Sequence, residues 1–278
     1  MGLFTGDFYS QSLAMTTQLR VIFPELSCDV TPVFDGEPMV LYLLHGLSAN
    51  SGEWTRFSKI EYYAKKYNFI IVMPEVQRSF YCDSVSGPRY FTYVAEELPR
   101  ICEQWFRFDS SRENTFIAGE SMGGYGAVKV GLRHPERFSG IASLSGVLNY
   151  PGIARQVMNG QWPDLLPQEL RALHGATGLP SEEEDVISLV CRQAGNPQRP
   201  RLIQLCGTSD FLYEDNQTFR RAAEKAGYGH MYLEAPGDHE WPYWDKAIQY
   251  AFQFFRNMDM KTTPIYLLVV CLLRKDRE

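Results

Sequence analysis

The chain has 278 residues, 45% of them hydrophobic and 22% charged, a composition that excludes a disordered or low-complexity protein. This length is enough to bury a large core without disulfides, so we expect a single domain over residues 1–260. The formal net charge is -6 and no run of Lys or Arg is longer than a pair, so nucleic acid is not an expected partner.

The cysteines and the two chain ends favour a cytoplasmic location. The six cysteines lie far apart and form no CxxC pair, so we expect reduced thiols. The first twenty residues lack the basic start and apolar stretch of a secretory signal. The apolar run at residues 265–273 is well short of the roughly 20 residues of a membrane span, so no membrane partner is expected. The atypical tail over residues 261–278 is open to three readings: an added strand, a subunit contact in a homo-oligomer, or a reading-frame artefact.

Taken in order, the apolar segments predict a mostly parallel sheet. The alternating residues 16–23 predict an antiparallel edge strand. Continuous hydrophobicity indicates strands covered on both faces, and it recurs in five short runs: residues 39–44, 69–73, 115–118, 141–144 and 202–206. A further apolar run covers residues 231–235. Helical spacing is found at residues 90–106 with an interruption at Pro99, 122–132, 216–226 with Gly227 as C-cap, and 243–255. This alternation predicts an α/β doubly wound fold.

Residues 149–199 form the one long interval without a core strand. They include Trp162 and an acidic run at residues 182–185. Because such long connections in a compact domain are usually functional or disordered, we interpret this interval as a helical insertion, a cap over the C-terminal edge of the sheet.

The strongest chemical signal is Gly119-Glu120-Ser121-Met122-Gly123, placed between the run 115–118 and a helical stretch. A Gly-x-Ser-x-Gly elbow needs this strand-to-helix setting, in which a sharp turn exposes the serine hydroxyl at a helix N-terminus. A tight glycine turn with a capping serine is the alternative. The context favours Ser121 as a nucleophile.

A serine nucleophile needs a histidine base that a carboxylate orients, in the chain order serine, acid, histidine. His239 lies in a turn between the last strand and the last helix, where the base belongs. The other four histidines are set aside, because they precede the serine, follow it immediately, or lie in the insertion or at a strand start: His45, His134, His174 and His230.

The acid is expected in the loop that follows the strand at residues 202–206. Asp210 occupies this loop. Its rivals Glu214 and Asp215 suit the first turn of the next helix, where acidic side chains favour the dipole. Asp238 has a simpler reading as a turn residue.

The oxyanion of the tetrahedral intermediate needs two backbone N–H donors, one of them from the residue after the nucleophile. That residue is Met122. The loop after the strand at residues 39–44 should supply the second donor, for which we choose Leu47, with Gly46 allowing close backbone approach. His45 is then read as structural.

The chain resembles the putative esterase family of α/β-hydrolases, which includes tributyrin, feruloyl and acetylxylan esterases and S-formylglutathione hydrolase. The resemblance covers roughly residues 8–258. It implies Ser121 as nucleophile, Asp210 as acid, His239 as base, and Leu47 with Met122 as oxyanion hole, in agreement with the assignments above. The segments that carry it are LLHGLSANSGEW (43–54), VMPEVQRSFYCDS (72–84), GESMGGYGA (119–127), CGTSDFLYEDN (206–216) and PGDHEWPYWD (236–245).

The expected function is a serine carboxylesterase that hydrolyses short-chain or aromatic acyl esters, such as acetyl, butyryl or feruloyl esters, of small molecules or oligosaccharides. This chemistry requires no cofactor and no metal, and the histidines lack the HExxH spacing of a metal hydrolase. An S-formylglutathione hydrolase-type thioesterase is the alternative, although the sequence shows no glutathione site. A non-catalytic binding module is a third reading, which the complete set of serine, acid and histidine argues against.

Aromatic residues are the candidates for substrate binding. Trp162 in the insertion and Tyr81 in the loop after the second apolar run are expected to wall an acyl or aromatic pocket, with packing alone as the alternative. Cys82, in the same loop, is either sensitive to thiol reagents or a buried inert thiol.

Overall fold

The computed structural model describes residues 2–25 and 32–258. One eight-stranded sheet organises them: β1 (Gly2–Ser10), β2 (Met15–Phe23), β3 (Met39–Leu44), β4 (Phe69–Pro74), β5 (Thr115–Glu120), β6 (Gly140–Leu144), β7 (Arg201–Gly207) and β8 (Met231–Ala235). The spatial order is β1-β2-β4-β3-β5-β6-β7-β8. Strands β3 to β8 are parallel, whereas β2 is antiparallel to both β1 and β4.

Helices cover both faces of the sheet. They are α1 (Glu53–Phe57), α2 (Ile60–Tyr67), α3 (Tyr90–Thr92), α4 (Leu98–Phe106), α5 (Met122–Arg133), α6 (Tyr150–Met158), α7 (Pro167–His174), α8 (Val186–Gln193), α9 (Tyr213–Ala226) and α10 (Trp241–Phe255), with a π-helical turn at Tyr93–Glu97 and 3-10 turns at Arg112–Asn114 and Glu182–Glu184. One apolar core lies between the sheet and α4 to α9, and a second between the sheet and α1, α2 and α10. These two cores confirm the doubly wound α/β fold.

The continuous apolar runs became buried parallel strands, as their pattern predicts. Every residue of β4, β5 and β6 is buried, because each of these strands has neighbours on both sides and helices on both faces. The bounds of β3 and β8 match the predicted runs, and those of β4 to β7 extend them by one or two residues. Gly227 adopts the left-handed conformation that was expected of a C-cap, with φ of 74° after α9.

The strand predicted at residues 16–23 is antiparallel as expected, but its placement at the edge of the sheet was wrong. Strand β1 pairs with it along nine residues and takes the edge position. The hairpin turn is held by a distant carboxylate: Glu97 accepts hydrogen bonds from the Ser10 hydroxyl at 2.7 Å and from the backbone N–H groups of Gln11 and Ser12 at 2.8 and 2.9 Å.

Pro99 marks a boundary, as its missing N–H suggests. It stands at the start of α4, directly after the π-helical turn at Tyr93–Glu97, where the helix changes its hydrogen-bond pattern.

The interval 149–199 contains helices α6, α7 and α8. Helix α8 packs against α5 and α9. It therefore lies with α5 and α9 on one face of the sheet, in the part of the chain between β6 and β7.

Four cysteines in the described residues are free thiols, of which three are buried: Cys82, Cys102 and Cys206. The predicted tail at 261–278 lies outside the described residues, as do Cys28 and Cys271. Within residues 2–25 and 32–258, no helix has the length and apolar character needed to cross a membrane.

Candidate active site

Ser121 stands on a sharp turn between β5 and α5. Its backbone has φ of 54° and ψ of -119°, a left-handed conformation that costs a non-glycine residue energy and persists only where the surroundings impose it. The Ser121 N–H donates to the carbonyl of Leu144 on β6 at 2.9 Å, and the N–H groups of Tyr125 and Val147 donate to its carbonyl at 3.1 and 3.2 Å. The serine is therefore held in one strained geometry at the carboxyl edge of the sheet.

The glycines on either side of the serine make this turn fit. A Cβ added at Gly119 would lie 2.5 Å from the Gly123 carbonyl, and one added at Gly123 would lie 2.4 Å from the Leu44 carbonyl. Any side chain at either position would push α5 away from β3 and β5. The elbow motif thus has its physical reason in two backbone contacts.

Ser121, His239 and Asp210 form one hydrogen-bonded chain. The His239 Nδ1 lies 3.0 Å from each Asp210 carboxylate oxygen, and its Nε2 lies 2.9 Å from the Ser121 Oγ. A carboxylate only accepts hydrogen bonds, so Nδ1 carries the proton and Nε2 is free to accept the serine hydroxyl proton. This hydrogen-bonded chain has the geometry that a serine nucleophile, a general base and an orienting acid require.

Backbone contacts fix the acid and base loops to each other. The N–H of Thr208 donates to the Ala235 carbonyl at 2.9 Å, and that of Ser209 donates to the Gly237 carbonyl at 3.0 Å. A Cβ at Gly207 would lie 2.4 Å from the Gly237 carbonyl, so the two loops touch. The distance between Asp210 and His239 is therefore set by the backbone of β7 and β8.

The surroundings of Asp210 stabilise its ionised form. Burial of its carboxyl favours the neutral form, but the hydrogen bond and charge of His239 and the Leu212 N–H at 2.8 Å outweigh it and hold the Asp210 pKa below its usual range. Its side chain is fully covered, whereas 15% of the His239 side chain is exposed. The base can therefore meet a substrate while the acid is shielded from water.

The loop after β3 lies beside the nucleophile because Leu44 is in register with Gly119 on β5. The His45 Nδ1–H donates to the Gly46 carbonyl at 2.9 Å, and the Val76 N–H donates to the His45 Nε2 at 3.1 Å. His45 is buried. Its ring serves the loop structure, as the sequence suggested.

Glu120, the residue before Ser121, supports the loop after β3 through a hydrogen bond. Its carboxyl accepts the Gly46 N–H, and a Cβ at Gly46 would clash with it. Glu120 is only 2% exposed. Burial, reinforced by the negative charge of Glu53, raises the pKa of Glu120 well above its usual range although the Gly46 N–H opposes this shift.

The two expected oxyanion donors belong to segments that follow neighbouring strands. Met122 begins α5 directly after the serine, and Leu47 follows Gly46 in the loop after β3. The Met122 side chain is fully buried, which holds the backbone of this residue in place. The register of β3 with β5 brings both backbones to the same end of the sheet.

Arg78 connects the loop after β3 to the interval 149–199. Its guanidinium donates to the Ser48 hydroxyl and to the Asp164 carbonyl, and forms two bonds with the Glu169 carboxylate at 2.6 and 3.2 Å. Ser48, the residue after Leu47, has a left-handed φ of 65°. One side chain therefore ties the end of this loop to α7.

Two aromatic rings pack on the His239 imidazole, Phe211 and the buried Trp244 at 4.9 Å, and a third packs on Phe211. The Phe211 ring centroid lies 4.5 Å from that of His239, and the Trp162 ring packs edge-on against Phe211 at 5.7 Å. Phe211 is 61% exposed. The structure thus brings Trp162, which was singled out from the sequence, to the rim of the site by way of Phe211.

Tyr81 has a different place from the one expected. It is fully buried, its hydroxyl donates to the His45 carbonyl at 2.7 Å, and its ring packs against Gly126 of α5. A side chain with no exposed surface cannot line an open pocket, so the expectation that Tyr81 binds substrate is corrected: it supports the loop after β3.

The alternative acids and bases weighed in the sequence analysis lie where a structural role predicts them. Glu214 and Asp215 stand in the first turn of α9. The Asp238 carboxylate accepts the His239 N–H at 2.8 Å, as in a turn. The His174 Nε2 is hydrogen-bonded to the Tyr150 hydroxyl at 2.7 Å.

Cys82 is a buried thiol in a polar cluster. It lies 3.0 Å from a Glu184 carboxylate oxygen and 3.2 Å from the Lys129 ammonium, which itself forms an ion pair with Glu184. Burial raises the pKa of Cys82 far above its usual range. Of the two interpretations of Cys82, a thiol sensitive to reagents or a buried inert thiol, the structure supports the buried inert thiol.

The family model described as "Putative esterase" matches residues 10–255 of the chain. The chain belongs to the putative esterase family. The match spans every strand from β2 to β8 and all three residues of the hydrogen-bonded chain.

Similar proteins of this family are serine hydrolases and esterases. An acetyl esterase of Caldicellulosiruptor saccharolyticus is 30% identical over 266 residues, covering 93% of this chain and 99% of its own length. The fluorophosphonate-binding serine hydrolase FphF of Staphylococcus aureus is 32% identical with a TM-score of 0.79, covering 91% of this chain and 98% of that one. The S-formylglutathione hydrolase FrmB of Staphylococcus aureus is 31% identical with a TM-score of 0.77 and the same coverage of 91% and 98%. This member of the putative esterase family is a carboxylic ester hydrolase with the α/β-hydrolase fold.

Sequence reasoning missed three residues of the site: Glu120, Phe211 and Arg78. Glu120 and Phe211 are the immediate neighbours of Ser121 and Asp210, and an apolar residue directly after the polar stretch at 207–210 was a signal for Phe211. Arg78 gave no such signal, because its partners lie 30 and 91 positions away in the sequence.

Proposed function

We propose that the protein is a serine carboxylesterase that works through an acyl-enzyme, with Ser121 as nucleophile, His239 as general base and Asp210 as the acid that orients it. The observation that carries the proposal is the hydrogen-bonded chain of these three side chains, with 2.9 Å between serine and imidazole and 3.0 Å between imidazole and carboxylate. It stands at the carboxyl edge of the parallel strands, where ligands of such sheets bind.

In the first half of the reaction, the Ser121 Oγ attacks the ester carbonyl while the His239 Nε2 takes its proton. The tetrahedral intermediate then collapses. The bond to the alcohol oxygen breaks, His239 returns the proton to that oxygen, and the acyl group stays on Ser121. Asp210, ionised and buried, stabilises the imidazolium that exists between these two proton transfers.

In the second half, a water molecule replaces the alcohol. His239 takes a proton from the water as it attacks the acyl carbon, and returns it to the Ser121 Oγ as the acid product leaves. In both halves the oxyanion forms beside Leu47 and Met122, whose backbone N–H groups we assign as its donors. Each such donor is worth on the order of 3 kcal/mol to the transition state.

The substrate class that we propose is a short-chain or aromatic acyl ester. Support for short acyl groups comes from the acetyl esterase relative, which aligns over 99% of its own length. Trp162 and Phe211 add an aromatic rim beside His239, which suits an aromatic or sugar group in the alcohol part of the ester.

Replacing the nucleophile tests the proposal. Ser121→Ala removes the attacking oxygen, so we expect kcat/KM for p-nitrophenyl acetate to fall by about 10⁴-fold or more, with the circular dichroism spectrum and Tm little changed. The fluorophosphonate-binding relative suggests a second readout, which is covalent labelling of the unaltered protein by a fluorophosphonate probe and none of the variant. Near-normal hydrolysis by Ser121→Ala would contradict the assignment.

A thioesterase acting on S-formylglutathione is the second candidate, and the similarity to FrmB at 31% identity is the observation that favours it. The same three residues would serve, because a thiolate leaves from a tetrahedral intermediate as an alkoxide does. Rates on S-formylglutathione and on phenyl acetate, measured with one enzyme preparation, separate the two. A kcat/KM at least about 100-fold higher on the thioester than on the ester would favour the thioesterase. Such a ratio corresponds to a difference of about 2.8 kcal/mol in activation free energy.

A further inference from the structure

Phe211 is an exposed aromatic ring in a fixed position beside the base. It follows Asp210 directly, and Asp210 is held by the Leu212 N–H at 2.8 Å and through its own N–H to the Gly207 carbonyl at 3.2 Å. The ring is inclined by 52° to the His239 imidazole at a centroid distance of 4.5 Å. A ring that is 61% exposed and packs on the imidazole presents an apolar face to whatever approaches His239.

Trp162 backs this ring from another part of the chain. It lies in the segment between α6 and α7, and its indole meets Phe211 at 5.7 Å with an interplanar angle of 62°. Edge-to-face pairs of this kind fix ring orientation. Phe211 and Trp162 together form the surface that we call the aromatic shelf.

The sheet order decides which part of an ester lies against the aromatic shelf. The assigned oxyanion donor Leu47 follows β3, on one side of β5, whereas Phe211 follows β7, on the other side. The carbonyl oxygen therefore points away from the shelf. The alcohol oxygen must lie within hydrogen-bond reach of the His239 Nε2 to receive its proton. The first carbon atoms of the alcohol then lie beside Phe211, the exposed one of the two rings that pack on His239, since the other, Trp244, is buried.

We propose that the aromatic shelf binds the alcohol part of the ester and makes the enzyme selective for alcohols with a flat apolar face, either an aryl ring or the C–H face of a sugar ring. This inference rests on the proposed function, which it extends to leaving-group selectivity. Contact between aromatic rings is specific and moderate in strength, so the shelf sets preference among esters and leaves the chemical step to Ser121.

The test compares acetates that share an acyl group and differ in the alcohol: phenyl acetate, an acetylated xylo-oligosaccharide and ethyl acetate. Phe211→Ala is expected to lower kcat/KM about tenfold on phenyl acetate, on the acetylated sugar, or on both, relative to ethyl acetate. A loss confined to one of the two identifies the alcohol as aryl or as sugar. The ratio of phenyl acetate to phenyl butyrate stays unchanged, because the acyl part does not touch the shelf.

Tyr62→Ala is the matched control. Tyr62 is an aromatic residue of α2 with 47% exposure, so its removal is a change of similar kind elsewhere on the surface, and none of the ratios should move. Labelling of Phe211→Ala by a fluorophosphonate probe verifies that the variant is folded and has an intact nucleophile.

Two results would overturn the aromatic shelf alone. An equal loss on all three acetates would show that Phe211 only supports His239, and a shift in the acetate-to-butyrate ratio would place the acyl group there instead. If the unaltered protein hydrolyses none of these esters, the proposed function fails, and the shelf fails with it.

Discussion

At the scale of single residues, Glu120 is the least expected part of the site. Its carboxyl is 2% exposed, is affected by the negative charge of Glu53, and accepts the Gly46 N–H of the loop after β3. Such a carboxyl is most stable in its neutral form. In the unfolded chain the same group ionises above about pH 4.3. The folded state therefore binds a proton that the unfolded state releases, and stability falls as pH rises above that value.

Glu120→Gln is expected to remove this penalty, because a neutral amide oxygen can still accept the Gly46 N–H. The free energy of unfolding of the variant, measured by urea denaturation, should exceed that of the unaltered protein by an amount that grows with pH, by up to about 1.4 kcal/mol per pH unit. Glu113→Gln, at an exposed glutamate, is the control. A difference between Glu120→Gln and the unaltered protein that does not change between about pH 6 and 8 would show that Glu120 is already ionised in the folded state.

The residue scale also shows how far sequence reasoning reaches. Ser121, Asp210 and His239 could be assigned because each follows a recognisable strand, and parallel strands deliver their C-terminal ends to one edge. Tyr81 could not be placed, since an aromatic residue in a loop has the same pattern whether it faces a ligand or a buried backbone carbonyl. That choice depends on what the fold packs against it.

At the scale of elements, the site depends on one contact between the loop after β3 and α7. Arg78 makes it, and its bidentate bond to Glu169 also involves the first turn of α7, because Glu169 accepts the Leu166 N–H at 2.9 Å. The planar guanidinium makes four bonds from three nitrogens to Ser48, Asp164 and both Glu169 oxygens, whereas an ammonium has only three donors on a single nitrogen.

Arg78→Lys is expected to lower kcat for p-nitrophenyl acetate by about tenfold, with KM changed less than threefold, because a looser Ser48 lets the Leu47 N–H drift from the oxyanion. Stability should change by less than about 1 kcal/mol, as for other partly exposed ion pairs. The matched control is Arg192→Lys, whose ion pair with Glu183 at 2.6 Å lies in the same interval but touches no loop of the site. Equal effects of the two variants on kcat would count against a role for Arg78 in positioning Leu47.

Elements also differ in how well the sequence predicts them. Strands β3 to β8 are continuous apolar runs and were predicted with nearly correct bounds. Strand β1 was missed because most of its side chains are exposed and its turn lacks a glycine: Ala14 takes the left-handed φ of 54° instead. Glu97, more than 80 positions away, holds that turn, and no local pattern reports such a bond.

At the scale of the whole molecule, two partly buried histidines make stability depend on pH on the acid side. Burial lowers the pKa of His230, and that of His174, to about 4. An exposed histidine in the unfolded chain has a pKa of about 6.5. Between these values the unfolded state binds protons that the folded state does not, so stability is lost as pH falls through this window.

His230→Gln is expected to flatten this dependence. Its free energy of unfolding should fall less steeply than that of the unaltered protein between about pH 6.5 and 5, by up to about 1 kcal/mol per pH unit. Urea denaturation at several pH values measures the slope, and His134→Gln, at a histidine that contacts Glu136 near the surface, serves as the comparison. Parallel slopes for the unaltered protein and His230→Gln would refute the assignment of His230 as a neutral, partly buried group.

The hairpin of β1 and β2 determines where the enzyme can be attached to a solid support. Gly2 pairs with Phe23, and β2 runs antiparallel to β4, so Gly2 lies at the amino end of the parallel strands, opposite to Ser121. Strands β2, β4 and β3 also separate β1 from β5. A linker fused ahead of Gly2 would therefore anchor the molecule with its reactive edge turned toward the solution, whereas anchoring through the loop after β8 would turn that edge toward the support.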